Sequence, residues 1–291
     1  MRFALIASRA TPTNAALVRA GGAAWDVLAP SEALATLGPG DVAVGRLDVL
    51  PTLDGVDEGL WALGELEARG VVVLNGLAGV LPTHDKLLTS RLLARAGLPH
   101  PWTRLHTYGA RPPCISGSVV VKPRFGSWGR DVACCDSSAA LAAHLDSLVD
   151  RDWFRRQGAL IQALVPPRGY DLRIVVAGGH VVGAVIRVSP DGEWRTNVAL
   201  GATRLATTPP LQATELAVAA ARAAGAELVG IDLLPTPDGG WSILELNGAV
   251  EFNEEYARSH DVFHATTSRL TRRAIELSHV TPRAVPALAA R

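Results

Sequence analysis

The stretch from Leu228 to Asn253, LVGIDLLPTPDGGWSILELNGAVEFN, constrains the fold more than any other part of the chain. Apolar residues alternate around a few acids on either side of a Pro/Asp/Gly turn, the pattern of two strands joined as a hairpin. Glu245 and Asn247 stand two apart in the second strand, so they share one face. Asp232, in the first strand, can lie opposite them once the strands pair. Burying two carboxylates and an amide oxygen without partners is costly. A hard cation relieves that cost, and an all-oxygen set with room for water and phosphate suits Mg²⁺ better than zinc. A solvent-facing hairpin whose acids simply meet water accounts for the segment equally well when it is read alone.

Composition narrows the class. The chain has 291 residues, 48% of them hydrophobic, enough for two or three subdomains with sizeable cores. Lys+Arg and Asp+Glu are both 28, so no overall field draws nucleic acid or an acidic membrane, and any basic site is local. Cys114, Cys134 and Cys135 have no metal-type spacing and form an odd, sparse set, which reads as reduced thiols. MRFALIASR is too short an apolar run for a signal peptide. No run approaches the roughly 18 apolar residues of a membrane span. A cytoplasmic protein without nucleic-acid or membrane partners is expected.

Up to about Thr83, strand-like and helix-like stretches alternate: RFALIAS, NAALVRAGG, AAWDVLAP, DVAVGRL, GLWALGELEARG and VVVLNG. The alternation predicts a small parallel sheet with helices on its faces. No GxGxxG follows the first strand, so a dinucleotide fingerprint is absent. A helix from about Asp85 to Ala96 comes next, then the strand SVVVKPRF, the loop GSWGRDV, a helix near SSAALAAHLDSLV and the strand ALIQALV. DLRIVVAGGHVVGAVIRVS reads as a hairpin turning at Gly178-Gly179. The loop PDGEWRTNVALGA, the helix LQATELAVAAARAAG, the acidic hairpin, a helix from about Asp261 to Ser278 and a loose tail complete the chain. The expected divisions are 1–84, 85–159 and 160–280, with a tail at 281–291.

Lys122 stands among valines in VVVKP, beside the glycine-bearing turn FGSWG. Glycines let backbone N–H groups approach an anion closely, so the pair suits a phosphate, although a snorkelling lysine beside an ordinary loop fits as well. Lys86 opens a helix, where a cation is mildly unfavourable unless an anion sits nearby. The apolar hinge after ALIQALV suits an adenine read by backbone groups of Ala163 and Leu164. Asp171 can accept from a ribose hydroxyl or pair with Arg173. Arg187, Arg195 and Asn197 form a polar group in which the two arginines can converge on a phosphate or carboxylate. GxSxG, HExxH and kinase HRD signatures are all missing. What remains is cations and a metal around a nucleotide, the chemistry of phosphoryl transfer.

Taken in order, HDKLLTSRLLARAGLP, VVVKPRFGSWGRDV, LIQALVPPRGYDLRIVVAGGHVVGA, GEWRTNVALGA and GIDLLP…LELNGAVEF resemble the ATP-grasp ligases. The resemblance runs from about Asp85 to Ser278 and is to the RimK-type glutamate ligases and the LysX-type ligases, with GSWGR and the EF after Asn247 nearer the LysX branch. It implies an α/β (α+β) ATP-grasp fold behind an N-terminal parallel-sheet α/β domain. It implies an ATP-dependent carboxylate–amine ligase, with Lys86 and Lys122 on the phosphates, Ser127 in a closing loop, and Ala163 and Leu164 at the adenine. Asp171 would contact nucleotide. Arg195, Thr196 and Asn197 would lie along phosphates and substrate, with Arg195, Lys122 and Arg187 as the catalytic cations. Asp232, Glu245 and Asn247 would hold one or two Mg²⁺ or Mn²⁺ ions. The implied partners are ATP, an amino acid and an acceptor: a protein tail, a peptide, a small acidic carrier protein or a natural-product intermediate. A homodimer or homotetramer is the family expectation. Ala163 stands where RimK-type proteins have a glutamate, and GAV follows Asn247 where they have SP. A non-catalytic module using ATP as a switch is the alternative from another class, and a carboxylate kinase a further one.

Overall fold

The computed structural model describes residues 1–279, so the tail expected at 281–291 lies outside the described residues. The chain begins with β1 (Phe3–Ile6), α1 (Pro12–Gly21), β2 (Trp25–Leu28), α2 (Pro30–Thr36), β3 (Val42–Gly45), α3 (Leu60–Ala68) and β4 (Val72–Leu74). The strands form a parallel sheet in the order β2-β1-β3-β4. Every residue of β1 and β3 is buried, as continuous apolar strands must be when both faces of a parallel sheet are covered. Thr11 caps α1 and Pro12 opens it, a pairing of cap and fixed φ that starts helices readily. The seven-residue α2 is an addition to the sequence reading: too short for a periodic signal, it is announced only by Pro30 and by Glu32 accepting from Ala29 N at 3.0 Å.

After α4 (Leu77–Val80) and α5 (Lys86–Arg95) come β5 (Thr103–His106), β6 (Val119–Pro123), β7 (Ala133–Cys135), α6 (Ser138–Ser147), α7 (Asp152–Gln157) and β8 (Ala159–Ala163). The strands make an antiparallel sheet in the order β5-β8-β6-β7. Leu141, Leu145, Trp153 and Phe154 of the two helices pack against Val119, Val121 and Ile161. The boundary expected between 159 and 160 cuts β8, which is in register with both β5 and β6, so this unit runs on to Ala163. Helix α5 belongs elsewhere too: its Leu93 packs into the core of the third sheet.

That sheet comprises β9 (Tyr170–Ala177), β10 (His180–Val188), β11 (Thr203–Ala206), β12 (Leu228–Pro235) and β13 (Trp241–Asn247), in the order β11-β10-β9-β12-β13, with α8 (Leu211–Ala224) between β11 and β12 and α9 (Val262–Ser278) last. Both hairpins expected from the sequence form. Period-2 alternation assigns the faces. Leu172, Ile174, Val176, Ile231 and Leu233 pack on the alanine-rich side of α8. The opposite face is apolar at one end, where Val175, Ala177 and Leu228 meet the N-terminal sheet and α9. Further along the same face, at alternate positions, stand Asp171, Arg173 and Asp232. One face thus changes from core to charge along its length. No helix among the described residues is long and apolar enough to cross a membrane.

Candidate functional site

The charged end of that face is held together by arginine–carboxylate pairs. Asp232 is directly opposite Glu245, with a bulge immediately after the pair. Asp232 is 2% exposed and accepts from Arg173 Nε and Nη2 at 2.6 Å each and from Arg187 Nη2 at 2.9 Å. Burial alone would raise its pKa, but the two guanidiniums outweigh burial and hold the carboxyl far below the usual range. Arg187 also donates to Asp171, whose Oδ2 takes a further bond of 2.6 Å from Thr196 Oγ1. The arginine partner of Asp171 is therefore Arg187, in place of the Arg173 suggested by sequence. In the β9–β10 register Asp171 faces Arg187, whereas Arg173 faces Val185 and, across β12, Asp232.

Glu245 lies 3.5 Å from Lys86 Nζ, and the buried Nδ2 of Asn247 has no hydrogen-bond partner. Two carboxylates and one amide carbonyl are hard oxygen donors. Among the described residues no cluster of three His, Cys, Asp or Glu side chains forms a complete metal cage. The set fits Mg²⁺ in the way that ion is commonly held, by one or two carboxylates with water and phosphate oxygens filling the shell.

Two lysines line the same cleft as Asp232 and Glu245. Lys86 is the first residue of α5, and its ammonium donates to Gly126 O. Lys122 is 5% exposed on β6 and donates to Gln162 Oε1 at 2.8 Å. Burial lowers its pKa to about 8, against the opposing pull of Glu245. The loop Gly126-Ser127-Trp128-Gly129 lines the same cleft, and in it Trp128 is 50% exposed at φ +64°. Gly129 is required as glycine: φ is +69°, and a Cβ would fall 2.8 Å from Asn197 Oδ1. Arg195 is clamped by Glu193 at 2.8–2.9 Å and reaches Gly129 O at 3.3 Å, tying the two loops together. Ala163 and Leu164 line the same cleft of about 1010 Å³. Their N–H groups donate to Trp102 O at 2.8 Å and Ser118 O at 3.0 Å, so they offer a base side chains and carbonyl oxygens but no donor.

All the sequence-selected residues except Asn247 line this cleft, and Asn247 lines a second cavity beside it. Residues 83–261 match the RimK-like ATP-grasp domain.

The chain belongs to the RimK-like ATP-grasp family.

It is 31% identical over 212 residues to the tetrahydromethanopterin:alpha-L-glutamate ligase of Methanosarcina acetivorans, covering 67% of this chain and 65% of that protein, just under two thirds. It is 29% identical over 226 residues to the glutamate–LysW ligase ArgX of Sulfurisphaera tokodaii, covering 74% and 78%. The fold is that of the RimK-domain ATP-grasp protein from Sphaerobacter thermophilus, with a TM-score of 0.64 at 22% identity over 93% of this chain and 100% of that one.

Three residues of this ATP-grasp site escaped the sequence reading. Gln162 positions Lys122, and a lone amide inside the apolar run ALIQALV was the available signal. Glu193 clamps Arg195 from two residues away, a spacing legible in GEWRT. Arg173 appeared only as a companion of Asp171, although DLR places it on the same face. The arrangement gathers cations, a glycine loop and an edge of hard oxygen donors around one cleft, electrostatics suited to phosphoryl transfer.

Proposed function

We propose that this chain is an ATP-dependent carboxylate–amine ligase that forms an amide through an acyl phosphate. The observation carrying this reading is the juxtaposition, in one cleft, of Lys86 and Lys122 with Asp232, Glu245 and the glycine loop, with Asn247 in the adjoining cavity. A carboxylate oxygen of one substrate attacks the γ-phosphorus of ATP and ADP leaves. The amine of the other substrate then attacks the acyl carbon, phosphate leaves with the bonding electron pair, and the amine nitrogen gives up one proton to the departing phosphate or to water. Lys86 and Lys122 neutralise phosphate charge, and Arg195 brings a third cation from the neighbouring loop. Asp171 acts mainly by holding Arg187 in place. Arg187 in turn braces Asp232. Asp232, Glu245 and Asn247 would hold Mg²⁺, which when bound supplies Lewis acidity to the phosphate oxygens. The loop from Gly126 to Gly129, with Ser127 and Trp128 in it, shields the acyl phosphate from water. Thr196 and Asn197 line the path from phosphates to substrate.

In this reading one substrate is an amino acid and the other a protein tail, peptide, small carrier protein or small-molecule intermediate. The three sheets act as a substrate-side domain, a loop-bearing lobe and a metal-bearing lobe. Three cysteines without disulfides and a need for ATP accord with the cytoplasm.

The test is ADP release with Mg-ATP across a panel of amino acids, with hydroxylamine present. Hydroxamate formed with one acid identifies carboxylate activation. Glu245→Gln is expected to remove turnover while the fold persists by circular dichroism. Near-normal ADP release from that variant would sink the metal assignment. Absence of Mg-ATP binding to the wild type would overturn the function itself.

A further inference from the structure

Beside the nucleotide cleft, and sharing Lys86, Trp128 and Glu245 with it, lies a cavity of about 800 Å³. Its walls come from the N-terminal part (Asp48, His84), from the metal edge of β13 and from Arg204 on β11. Strands β10 and β11 are in a register that sets Arg187 directly opposite Arg204. Like charges at such a position repel. Arg187 is neutralised by Asp171 and Asp232. Arg204 is not: among the described residues its one acidic partner within 4.0 Å is Glu255, at 3.7 Å and on a side chain 57% exposed. Such an exposed, distant pair contributes little. The Nε of Arg204 is also buried without any hydrogen-bond partner, a cost that protein interiors seldom carry. An under-neutralised guanidinium therefore lines a cavity that also holds Glu245 and Asn247 of β13.

We infer that Arg204 is a specificity-determining residue that anchors a non-reacting carboxylate of the substrate held in this second cavity, with the reacting group directed toward the Glu245–Asn247 edge. The inference rests on the ligase reading given above. A planar guanidinium pairs with a carboxylate through two parallel hydrogen bonds, which gives direction as well as charge. An anion there would also relieve the repulsion between Arg204 and Arg187. The occupant is a small acid with a carboxylate to spare, an α-amino acid or a dicarboxylic acid. Amines of the same size without that carboxylate are excluded.

The experiment is isothermal titration of the full chain saturated with Mg-AMP-PNP, using L-glutamate, L-aspartate, L-alanine and succinate, with 4-aminobutyrate, β-alanine, ethylamine and propionate as the respective analogues that lack one carboxylate. The wild type is expected to bind at least one of the carboxylates and to bind its analogue more weakly. Arg204→Met should weaken that carboxylate by about 10- to 100-fold, the range of a charge-assisted hydrogen-bonded pair, and Arg204→Lys by less. Affinity for Mg-AMP-PNP should be the same in all variants, which also reports that they are folded. Glu255→Gln should leave carboxylate binding unchanged or tighter. Equal carboxylate affinity in the wild type and Arg204→Met would overturn the proposal. So would the absence of any carboxylate binding to the nucleotide-loaded wild type, an outcome that leaves the ligase reading standing. Failure of the wild type to bind Mg-AMP-PNP would bring down the ligase reading instead.

Discussion

Lys122 and His84 show how burial tunes single groups around this site. With its pKa brought down to about 8 by burial, Lys122 loses its proton in a range where an exposed lysine stays charged. A phosphate-binding lysine must be protonated, so nucleotide affinity should fall as pH rises through about 8. Titration of Mg-ADP at pH 7 and pH 9.5 should give several-fold weaker binding at the higher pH, and Lys122→Met should be weak and nearly flat. A wild-type affinity constant over this range would remove Lys122 from the phosphate. His84 is buried, and burial takes its pKa down to about 4. Unfolded, it takes up a proton near 6.5; folded, it does so only near 4. Stability is therefore complete above 6.5 and is lost as pH falls toward 4, by about 3 kcal/mol from this residue. Urea unfolding at pH 7 and pH 4.5 should show His84→Gln losing less stability on acidification than the wild type. Equal losses would show that another group sets the acid limb.

At the scale of elements, one carboxylate aligns the two lysine-bearing segments. Asp85 caps α5 by accepting from Leu87 N at 3.1 Å and Leu88 N at 3.3 Å, and it pairs with Arg124 Nε at 2.8 Å just beyond β6. The start of α5 carries Lys86 and the end of β6 carries Lys122, so this joint sets their spacing. Asp85→Ala removes a helix cap and leaves Arg124 without its acid, a loss of about 2–4 kcal/mol. Denaturant unfolding of Asp85→Ala, Arg124→Ala and the double variant should reveal strong coupling; additive losses would mean that the two elements are held independently. The helix was legible in HDKLLTSRLLARAG because cap and periodicity are local signals. The short β5 and β7 were not, since three or four residues carry too little pattern and their strand character comes from pairing with β8 and β6.

At the scale of the molecule, the N-terminal domain reaches into the lobe that carries the glycine loop. An arm at 48–57, closed by the Val49–Val56 bridge, places Leu53 in the core formed by Val119, Leu141 and Phe154, where it is 5% exposed. Asp54 fastens the tip to Arg156 at 2.8 Å, and its carbonyl accepts from Gln157 at 2.9 Å. Leu53 holds φ +61° to make this insertion, a conformation that leucine seldom adopts. Leu53→Ala should cost about 2–4 kcal/mol, as for a buried leucine, against under about 0.5 kcal/mol for a surface loop residue. Unfolding by urea decides between them. Nothing in VLPTLDGVDEG separates this leucine from those of the surrounding loop. The sequence by itself determined the longer strands, the long helices, the residues sharing each of their faces and the ordered motifs of the family, because periods of 2 and 3.6 and turn chemistry act between near neighbours. Only the tertiary structure decided that Asp171 pairs with Arg187, that Asp232 takes two guanidiniums, that Arg204 is left under-neutralised and that Leu53 crosses between lobes. Those outcomes follow from strand register and from packing between distant segments, which no local spacing encodes.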